Sequence, residues 1–356
     1  MGNTALLAQN LGLGAAATGE YRGALTATRF SDPQAELEAL HAGCGVYDLG
    51  YRAKLVITGS DRVRWLNGMV TNNIRDLAVG QGVYAFLLNP QGRILGDLYA
   101  YNRGESIVIE TDQSQVEKIL ATFDHYIIMD DVEVKNISGE MTALGISGPR
   151  SREVARAAGI EIAESMPLQI FDATCTCDCD CTRCTCVRGE NAQHESYELW
   201  LSPGDTKKTW DALVAHGATP AGSDALELLR IQSGIPLYGV DIRERDLPQE
   251  TEQARALNFN KGCYIGQEIV ERIRSRGAVH RKFTGFVWTN GDTVAPGSKV
   301  VVGEKEAGEI TSARLTGEHH PGLALGYLRR EAAIPGKEVV IGGTPARVAE
   351  LPFGTL

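Results

Sequence analysis

The strongest constraint on the fold of this chain is a change in the pattern of apolar and turn residues near Phe283. Before that point, helical stretches alternate with strands joined by tight turns, as on either side of Asn102-Arg103-Gly104. After it, short alternating apolar runs are separated by Gly and Pro turns, which is typical of a small all-β barrel. Helices mixed with hairpin-connected strands favour an α+β arrangement over a doubly wound parallel sheet. The sequence therefore predicts an α+β fold with a β-barrel at the C-terminal end.

The chain has 356 residues, which is enough for two or three domains with cores of their own. Its first thirty residues carry few charges, so we expect a loosely tied segment with little chemistry. A capping aspartate before proline, Asp32-Pro33, then predicts the start of a helix. The predicted segments are an N-terminal arm at 1–30, a first α+β domain at 31–140 completed by residues from 225–275, a second α+β domain at 141–224, and the barrel at 280–356.

The composition excludes several classes of protein. Hydrophobic content is 43% and charged content 22%, as in ordinary globular proteins. The net charge of -10 argues against direct nucleic-acid binding, although it leaves room for a small anionic ligand at a local basic site. No apolar run approaches the roughly 20 residues of a membrane span, and the first thirty residues do not resemble a signal peptide. We therefore expect a cytoplasmic protein without a membrane partner.

The stretch 261–268, which reads KGCYIGQE, combines a lone cysteine with a lysine two residues before it and with two glycines. Apolar positions in the following stretch, 269–273, fall on one helical face, so we predict a tight loop that leads into a helix. Cys263 then lies at or just before the first turn, where the helix dipole and the charge of Lys261 both favour the thiolate. The residues alone are equally compatible with a small buried cysteine in a turn.

Six of the eight cysteines fall in one short stretch that is nearly repetitive in Cys, Thr and Asp. Strict alternation points successive side chains of an extended segment the same way, and no nearby histidine completes a four-ligand set. We interpret residues 174–187 as a low-complexity insertion in a hairpin loop and predict no metal site, while soft-metal binding stays open as the alternative. The six are Cys175, Cys177, Cys179, Cys181, Cys184 and Cys186.

The string KGCYIGQE resembles the signature of the YgfZ family of folate-binding proteins, which are relatives of the glycine-cleavage T-protein, an aminomethyltransferase. The resemblance covers roughly residues 30–356 apart from the cysteine insertion. Further segments with counterparts in this superfamily are Val46-Tyr47-Asp48-Leu49, Val70-Thr71-Asn72-Asn73, the strand at 84–89, the stretch 92–98, and Leu229-Arg230 followed by Gly234 and Pro236.

This resemblance implies a multi-domain T-protein-like fold with two interleaved α+β domains and a small C-terminal barrel. It also implies tetrahydrofolate or a derivative as a cofactor that is not covalently bound. Glu198 is similar to the glutamate that faces the pterin, and a carboxylate can accept two parallel N–H bonds from an aminopyrimidinone edge. The residues that the resemblance places at the folate are Tyr84, Glu198, Arg230, Lys261 and Tyr264.

Alternatives stay open at several of these positions. Glu198 could be only the exposed member of an alternating strand. Arg230 could hold a ligand carboxylate in a bidentate fork, or an internal carboxylate, and the sequence does not separate the two. A run of basic residues at 272–282 reverses the sign of the net charge locally. It suits the glutamate tail of a folate, an acidic face of a partner protein, or a solvated helix end.

The sequence departs from the aminomethyltransferases at Gly96-Asp97, where those enzymes carry paired aspartates. Proton transfer needs a carboxylate within about 3 Å of the proton that it moves, so the missing partner argues against aminomethyl transfer. Asp97 could line the ligand pocket and take part in catalysis, or it could be a solvated aspartate at the end of a strand. We name Asp97 and Cys263 as the candidate catalytic residues.

Three functions follow from these observations. The first is a folate-binding accessory protein that supports the assembly or repair of iron–sulfur enzymes, including those of tRNA modification. Its partners would be iron–sulfur client or assembly proteins, and Cys263 would be exposed near the folate. The second is a tetrahydrofolate-dependent aminomethyl- or methyltransferase. The third is an interaction scaffold without a ligand, and the sequence does not establish that the protein is an enzyme.

Overall fold

The computed structural model describes residues 2–8, 14–175, 184–190, 195–277, 279–289, 293–315 and 321–354. Its helices are α1 (Ala5–Ala8), α2 (Pro33–Ala42), α3 (Arg62–Met69), α4 (Val116–Tyr126), α5 (Ser151–Ala157), α6 (Thr206–Ala215), α7 (Ser223–Gln232) and α8 (Gln267–Arg276). Short 3-10 helices lie at Gln113–Gln115, Pro203–Asp205, Pro248–Thr251 and Ala254–Ala256. None of the helices in these ranges combines the length and the apolar character that a membrane crossing requires.

The strands of the same ranges are β1 (Gly2–Asn3), β2 (Ala17–Tyr21), β3 (Ala24–Arg29), β4 (Gly45–Asp48), β5 (Arg52–Thr58), β6 (Gly82–Leu88), β7 (Ile94–Asn102), β8 (Ile107–Asp112), β9 (Glu133–Asn136), β10 (Thr142–Ser147), β11 (Ile160–Glu161), β12 (Ile170–Cys175), β13 (Cys184–Arg188), β14 (Ser196–Leu201), β15 (Thr219–Pro220), β16 (Arg281–Trp288), β17 (Lys299–Val302), β18 (Lys305–Leu315), β19 (Gly322–Arg329), β20 (Glu338–Ile341) and β21 (Thr344–Ala349).

The chain divides into two compact units, and each unit gathers three segments of the sequence. The first unit consists of Met1–Gly68, Asn72–Ala85 and Leu98–Leu226. The second unit consists of Met69–Thr71, Phe86–Asp97 and Glu227–Leu356.

Two sheets, together with helices, make up the α+β part of the fold. A seven-stranded sheet has the order β11-β12-β13-β14-β10-β4-β15, and a five-stranded sheet has the order β6-β7-β8-β5-β9. The predicted helix start at Asp32-Pro33 is confirmed, since the Asp32 side chain accepts a hydrogen bond from the Gln34 amide and caps α2. The hairpin predicted around residues 102–104 is confirmed by the antiparallel pairing of β7 with β8.

The C-terminal strands close into a barrel in the order β16-β19-β18-β17-β20-β21. The alternating apolar runs after Phe283 predict this barrel. Alternate residues of these strands fill the barrel core, because successive side chains of a strand point to opposite faces. Phe286, Trp288, Leu328 and Ile341 are among the buried residues of that core.

The N-terminal segment is more ordered than the sequence suggests. Residues 2–8 and 14–29 form α1 and a three-stranded sheet of order β1-β3-β2, instead of the expected loose arm. The buried Asp48 carboxylate accepts hydrogen bonds from the hydroxyls of Thr4 and Thr26. Leu6 is fully buried in the core of the first unit. The low charge content of the N-terminal segment therefore reflects packed small residues and not a loose arm.

The cysteine-rich stretch is only partly described. Strands β12 and β13 pair antiparallel, with Ala173 opposite Cys184, as expected of a hairpin. The insertion predicted at 174–187 is too long, however, because Cys184 and Cys186 are fully buried members of β13. They pack in the hydrophobic core, which is the physical reason that they belong to the sheet. Outside the described residues lie Cys177, Cys179, Cys181 and the side chain of Cys175.

We expect Leu6→Ala to lower the free energy of unfolding by about 2–5 kcal/mol, the usual cost of removing a fully buried leucine side chain. Leu7→Ala, at the half-buried neighbouring position, is the matched control and should cost about 1 kcal/mol or less. Chemical denaturation of both variants measures the difference. Equal losses for the two variants would contradict a structural role for α1.

Candidate functional site

The loop that carries the cysteine at 263 is held in place by a close backbone contact within the second unit. Gly266 has φ +79°, and a Cβ atom there would lie 2.5 Å from the Asn89 carbonyl oxygen. Only glycine fits both the left-handed backbone and this approach. Helix α8 begins directly afterwards, at Gln267.

Two buried side chains flank an exposed thiol in this loop. Lys261 and Tyr264 are 5% and 8% exposed, whereas Cys263 is exposed. The Lys261 ammonium donates to the Val70 carbonyl oxygen and lies 4.9 Å from the centroid of the Tyr264 ring. Burial, together with the charge of Glu271, raises the pKa of Tyr264 to about 12.

This geometry changes the expected environment of Cys263. The sequence predicts a cysteine at or just before the first turn of a helix, but α8 begins four positions later, at Gln267. Cys263 therefore lies in the loop before α8 and outside its first turn. The alternative of a small buried cysteine in a turn is wrong, because the side chain is exposed.

A threonine hydroxyl fixes the chain that leads into this loop. The Thr71 Oγ1 donates to the Ala256 carbonyl oxygen over 2.6 Å and accepts from the Phe86 amide over 2.9 Å. The Asn258 amide donates to the Thr71 carbonyl oxygen over 3.0 Å. These bonds tie the Val-Thr-Asn-Asn motif to the residues that precede Lys261.

Arg230 is engaged inside the second unit. Its guanidinium binds Glu227 through two N–H groups, at 2.8 and 2.6 Å, and Asp241 through a third, at 2.6 Å. It also donates to the Ile235 carbonyl oxygen and to the Ser312 hydroxyl. Asp241 is fully buried. The sequence leaves open whether Arg230 binds a ligand carboxylate or an internal one, and in this geometry it binds internal carboxylates.

Asp97 lies on β7 in the second unit and is partly exposed. Its predicted role in catalysis stays a prediction, as do the predicted roles of the other site residues.

In the first unit, Glu198 lies on β14 opposite Gly145 of β10. A Cβ atom at Gly145 would come within 1.9 Å of the Tyr47 ring, so the absence of a side chain there lets Tyr47 lie beside the glutamate. Glu198 is partly exposed, and its Oε2 accepts a 2.8 Å hydrogen bond from the Trp200 indole.

A row of aromatic rings leads from Tyr84 to this tryptophan. The ring centroids of Tyr84 and Tyr99 are 5.0 Å apart, those of Tyr99 and Tyr101 6.4 Å, and those of Tyr101 and Trp200 5.4 Å. Tyr84 is 4% exposed. The first unit thus joins two of the predicted folate residues, Tyr84 and Glu198, through packed rings.

A buried group of charges lies beneath Glu198. Lys54 and Glu110 are both 0% exposed, face each other on β5 and β8, and form an ion pair of 2.8 Å. Arg52 approaches Glu110 at 3.4 Å and binds Asp112 at 2.6 Å.

These charges move the pKa values of the two glutamates in opposite directions. Burial opposes ionisation of Glu110, but Lys54 and Arg52 outweigh it and hold its pKa low, at about 2. Burial and the Glu110 charge raise the pKa of Glu198 to about 7. Closely spaced carboxyls with such divided pKa values are typical of functional sites.

Sequence reasoning missed Lys54, Glu110 and Trp200. One signal was available, since Lys54 interrupts the apolar run of β5 and Glu110 follows Ile107-Val108-Ile109 in β8. A charged residue inside an apolar strand is almost never buried unless it is paired. Neither residue, however, reveals the other as its partner.

The predicted site residues therefore form two groups, each within one unit. The first unit contains Tyr84 and Glu198, and the second contains Asp97, Arg230, Lys261, Cys263 and Tyr264. Within the described residues, no cluster of three or more His, Cys, Asp or Glu side chains could hold a metal ion.

Comparisons with known proteins bear on this arrangement. The family model of the GCVT N-terminal domain matches residues 12–261. An aminomethyltransferase of Rubrobacter xylanophilus is 28% identical over 330 residues, which is 91% of this chain and 87% of the relative. A chloroplastic protein of Arabidopsis thaliana that is named as a transferase is 28% identical over 333 residues, which is 91% of this chain and 74% of the relative.

One solved structure matches nearly the whole chain. The glycine cleavage system aminomethyltransferase T from Bartonella henselae superposes with a TM-score of 0.86 at 20% identity, over 96% of this chain and 95% of that chain. At this level of identity the likeness shows the fold. The predicted T-protein-like α+β fold with its C-terminal barrel is confirmed.

We expect Arg230→Met to lower the free energy of unfolding by about 3–5 kcal/mol, because it leaves the Asp241 carboxylate buried without its cation. The matched control is Arg156→Met, which removes the exposed pair with Glu161 and should cost less than about 1 kcal/mol. Urea denaturation measures both values. A loss below about 1 kcal/mol for Arg230→Met would contradict the structural role.

Proposed function

The chain belongs to the GCVT N-terminal domain family, and we propose that it is a tetrahydrofolate-binding accessory protein of the YgfZ type that supports the assembly or repair of iron–sulfur enzymes. Its clients would include iron–sulfur enzymes of tRNA modification. The observation that carries the proposal is the exposed Cys263 thiol between the buried side chains of Lys261 and Tyr264. That thiol lies in the KGCYIGQE loop, whose sequence resembles the YgfZ signature.

The residues of the first unit fit a pterin. Glu198 is partly exposed, and its ionised carboxylate has lone pairs for two ligand N–H groups in addition to the Trp200 indole. The aminopyrimidinone edge of a reduced folate presents two such donors side by side. Tyr47 and Tyr99 are partly buried members of the aromatic cluster near Glu198, and they would supply the apolar lining that most small-molecule pockets have.

Tetrahydrofolate, when bound, would supply one-carbon chemistry at its ring nitrogens. This chain would contribute Glu198 to hold and orient the pterin edge, and Cys263 as a thiol that a client or an assembly protein can reach. The Lys261 and Tyr264 anchors would keep the backbone on both sides of Cys263 fixed.

The second candidate function is a tetrahydrofolate-dependent aminomethyl- or methyltransferase. The names of the relatives from Rubrobacter xylanophilus and Arabidopsis thaliana favour a transferase. Against it stands Gly96, which takes the place of one of the paired aspartates of the aminomethyltransferases. A turnover assay with an aminomethyl donor and tetrahydrofolate separates the two functions, because the accessory protein should show no turnover above background.

We expect Glu198→Gln to weaken the binding of 5-formyltetrahydrofolate about 10- to 100-fold at pH 8, because one ligand N–H then meets an amide N–H instead of an acceptor. Calorimetric titration measures the dissociation constant. Glu195→Gln, three positions away at a partly exposed site where the side chain accepts from the Tyr197 hydroxyl, is the control and should bind like the wild type. If the wild-type protein binds no folate, the folate part of the proposal is wrong and the scaffold interpretation gains support.

We expect Cys263→Ser to keep its folate affinity and to lose its support of clients, since the substitution removes the thiol and little else. The measurement is the activity of a radical iron–sulfur tRNA-modifying enzyme in cells whose own copy of this protein is deleted. Activity should fall to the level of the deletion strain. Cys44→Ala, which removes a buried thiol, should restore activity. Full rescue by Cys263→Ser would remove this residue from the mechanism.

A further inference from the structure

Four side chains form a closed ring in the first unit. The Lys54 ammonium binds Glu110 Oε1 at 2.8 Å and lies 4.7 Å from the centroid of the Trp200 ring. The Trp200 indole donates to Glu198 Oε2 at 2.8 Å. The carboxyl groups of Glu198 and Glu110 close the ring, because they lie near enough for one to donate to the other once it is protonated.

One carboxylate oxygen of this ring lacks a hydrogen-bond donor. Glu110 Oε2 is buried and accepts no hydrogen bond from any donor of the described residues. A buried acceptor without a donor destabilises the folded state, and more so when it is charged. A proton on Glu198 removes this cost, because the Glu198 hydroxyl then donates to Glu110.

Resting on the function proposed above, we propose that Glu198 and Glu110 share one proton in the ligand-free protein and that a ligand edge with two N–H donors binds only after this proton has left. Glu110 is then a positioning residue that sets the pH range of binding through Glu198. The proton passes to water, and the ligand donors take its place on Glu198. The site therefore selects donor–donor edges, such as that of an aminopyrimidinone, at neutral and higher pH.

The surroundings of Glu198 agree with a single shared proton. Lys54 and Arg52 are the cations that face it from β5, and they stabilise Glu110 as the ionised member of the pair. Tyr47 of β4 and Tyr101 of β7 face it as neutral groups, because burial raises the pKa of both phenols. Burial and the charge of Glu110 raise the pKa of Glu198 to about 7.

The test is a titration of the full chain with 5-formyltetrahydrofolate at pH 6 and at pH 8. If only the ionised form of Glu198 binds, a pKa of about 7 makes the wild-type dissociation constant about tenfold larger at pH 6 than at pH 8. Titration in buffers of different ionisation enthalpy should also show the release of up to one proton for each ligand bound at pH 6.

Glu110→Gln is the decisive variant. Its amide oxygen can still accept from Lys54, and its amide nitrogen can donate to ionised Glu198, so Glu198 should ionise at lower pH. The dissociation constants at pH 6 and pH 8 should then agree within about twofold, with tighter binding than wild type at pH 6. Asp112→Asn is the matched control. It removes a neighbouring carboxylate of β8 that binds Arg52, and it should keep the tenfold pH dependence.

The outcomes separate this inference from the proposed function. Equal folate affinity of the wild type at pH 6 and pH 8 would overturn the shared proton and leave folate binding intact. A pH dependence that persists in Glu110→Gln would assign the effect to the ligand or to another group and would also overturn the inference.

A ligand-free measurement covers the case in which no folate binds or the variant does not fold. The infrared carbonyl band of a protonated carboxyl group should be present in the wild type at pH 6, decrease as the pH rises through 7, and be absent in Glu198→Gln. The absence of this band from the wild type at pH 6 would refute the shared proton, whatever the protein binds.

Discussion

The buried ion pair between Lys54 and Glu110 is the interaction on which the chemistry of the first unit depends. Moving two charges out of water costs several kcal/mol for each ion, so every charged atom needs a partner. Lys54 has three partners, namely the Glu110 carboxylate, the Arg52 carbonyl oxygen and the face of Trp200. Glu110 keeps one oxygen without a donor among the described residues, and we propose that protonated Glu198 supplies it. The pKa of Glu198 is therefore set by the sheet that carries Lys54 and Glu110.

The buried charges around Arg230 in the second unit differ from those around Glu110, because Arg230 has all its hydrogen-bond partners inside the unit. Arg230 donates all five of its N–H groups to internal acceptors, so its network is complete without any ligand. A complete network of this kind fixes the packing of a unit and leaves no N–H group of Arg230 for a ligand. Both clusters contain buried ions, but Glu110 has an acceptor atom without a donor among the described residues. This difference is why we propose that the Glu110 cluster, and not the Arg230 cluster, responds to binding.

Local patterns in the sequence account for much of the fold and for less of the site. The α+β class, the hairpins and the barrel follow from periodicity and turn residues, which act over a few positions. The order of the N-terminal segment was missed in part because two of its threonines are held by the distant Asp48 carboxylate. Glu198 was found through its resemblance to a family motif. Its partner Glu110 was not, because a side-chain contact between residues 88 positions apart, on strands of different sheets, leaves no local trace.

The exposed side chain of Cys263 adds nothing to the hydrophobic core. Its neighbours nevertheless adopt arrangements that cost free energy. Lys261 buries a charge against a carbonyl oxygen, and Gly266 takes a left-handed backbone against Asn89. A segment anchored on both sides has already lost the conformational entropy that a partner would otherwise have to remove on binding. Stability alone would be served as well by serine or alanine at 263. The anchors fit the proposed function, in which a partner meets the thiol in one geometry.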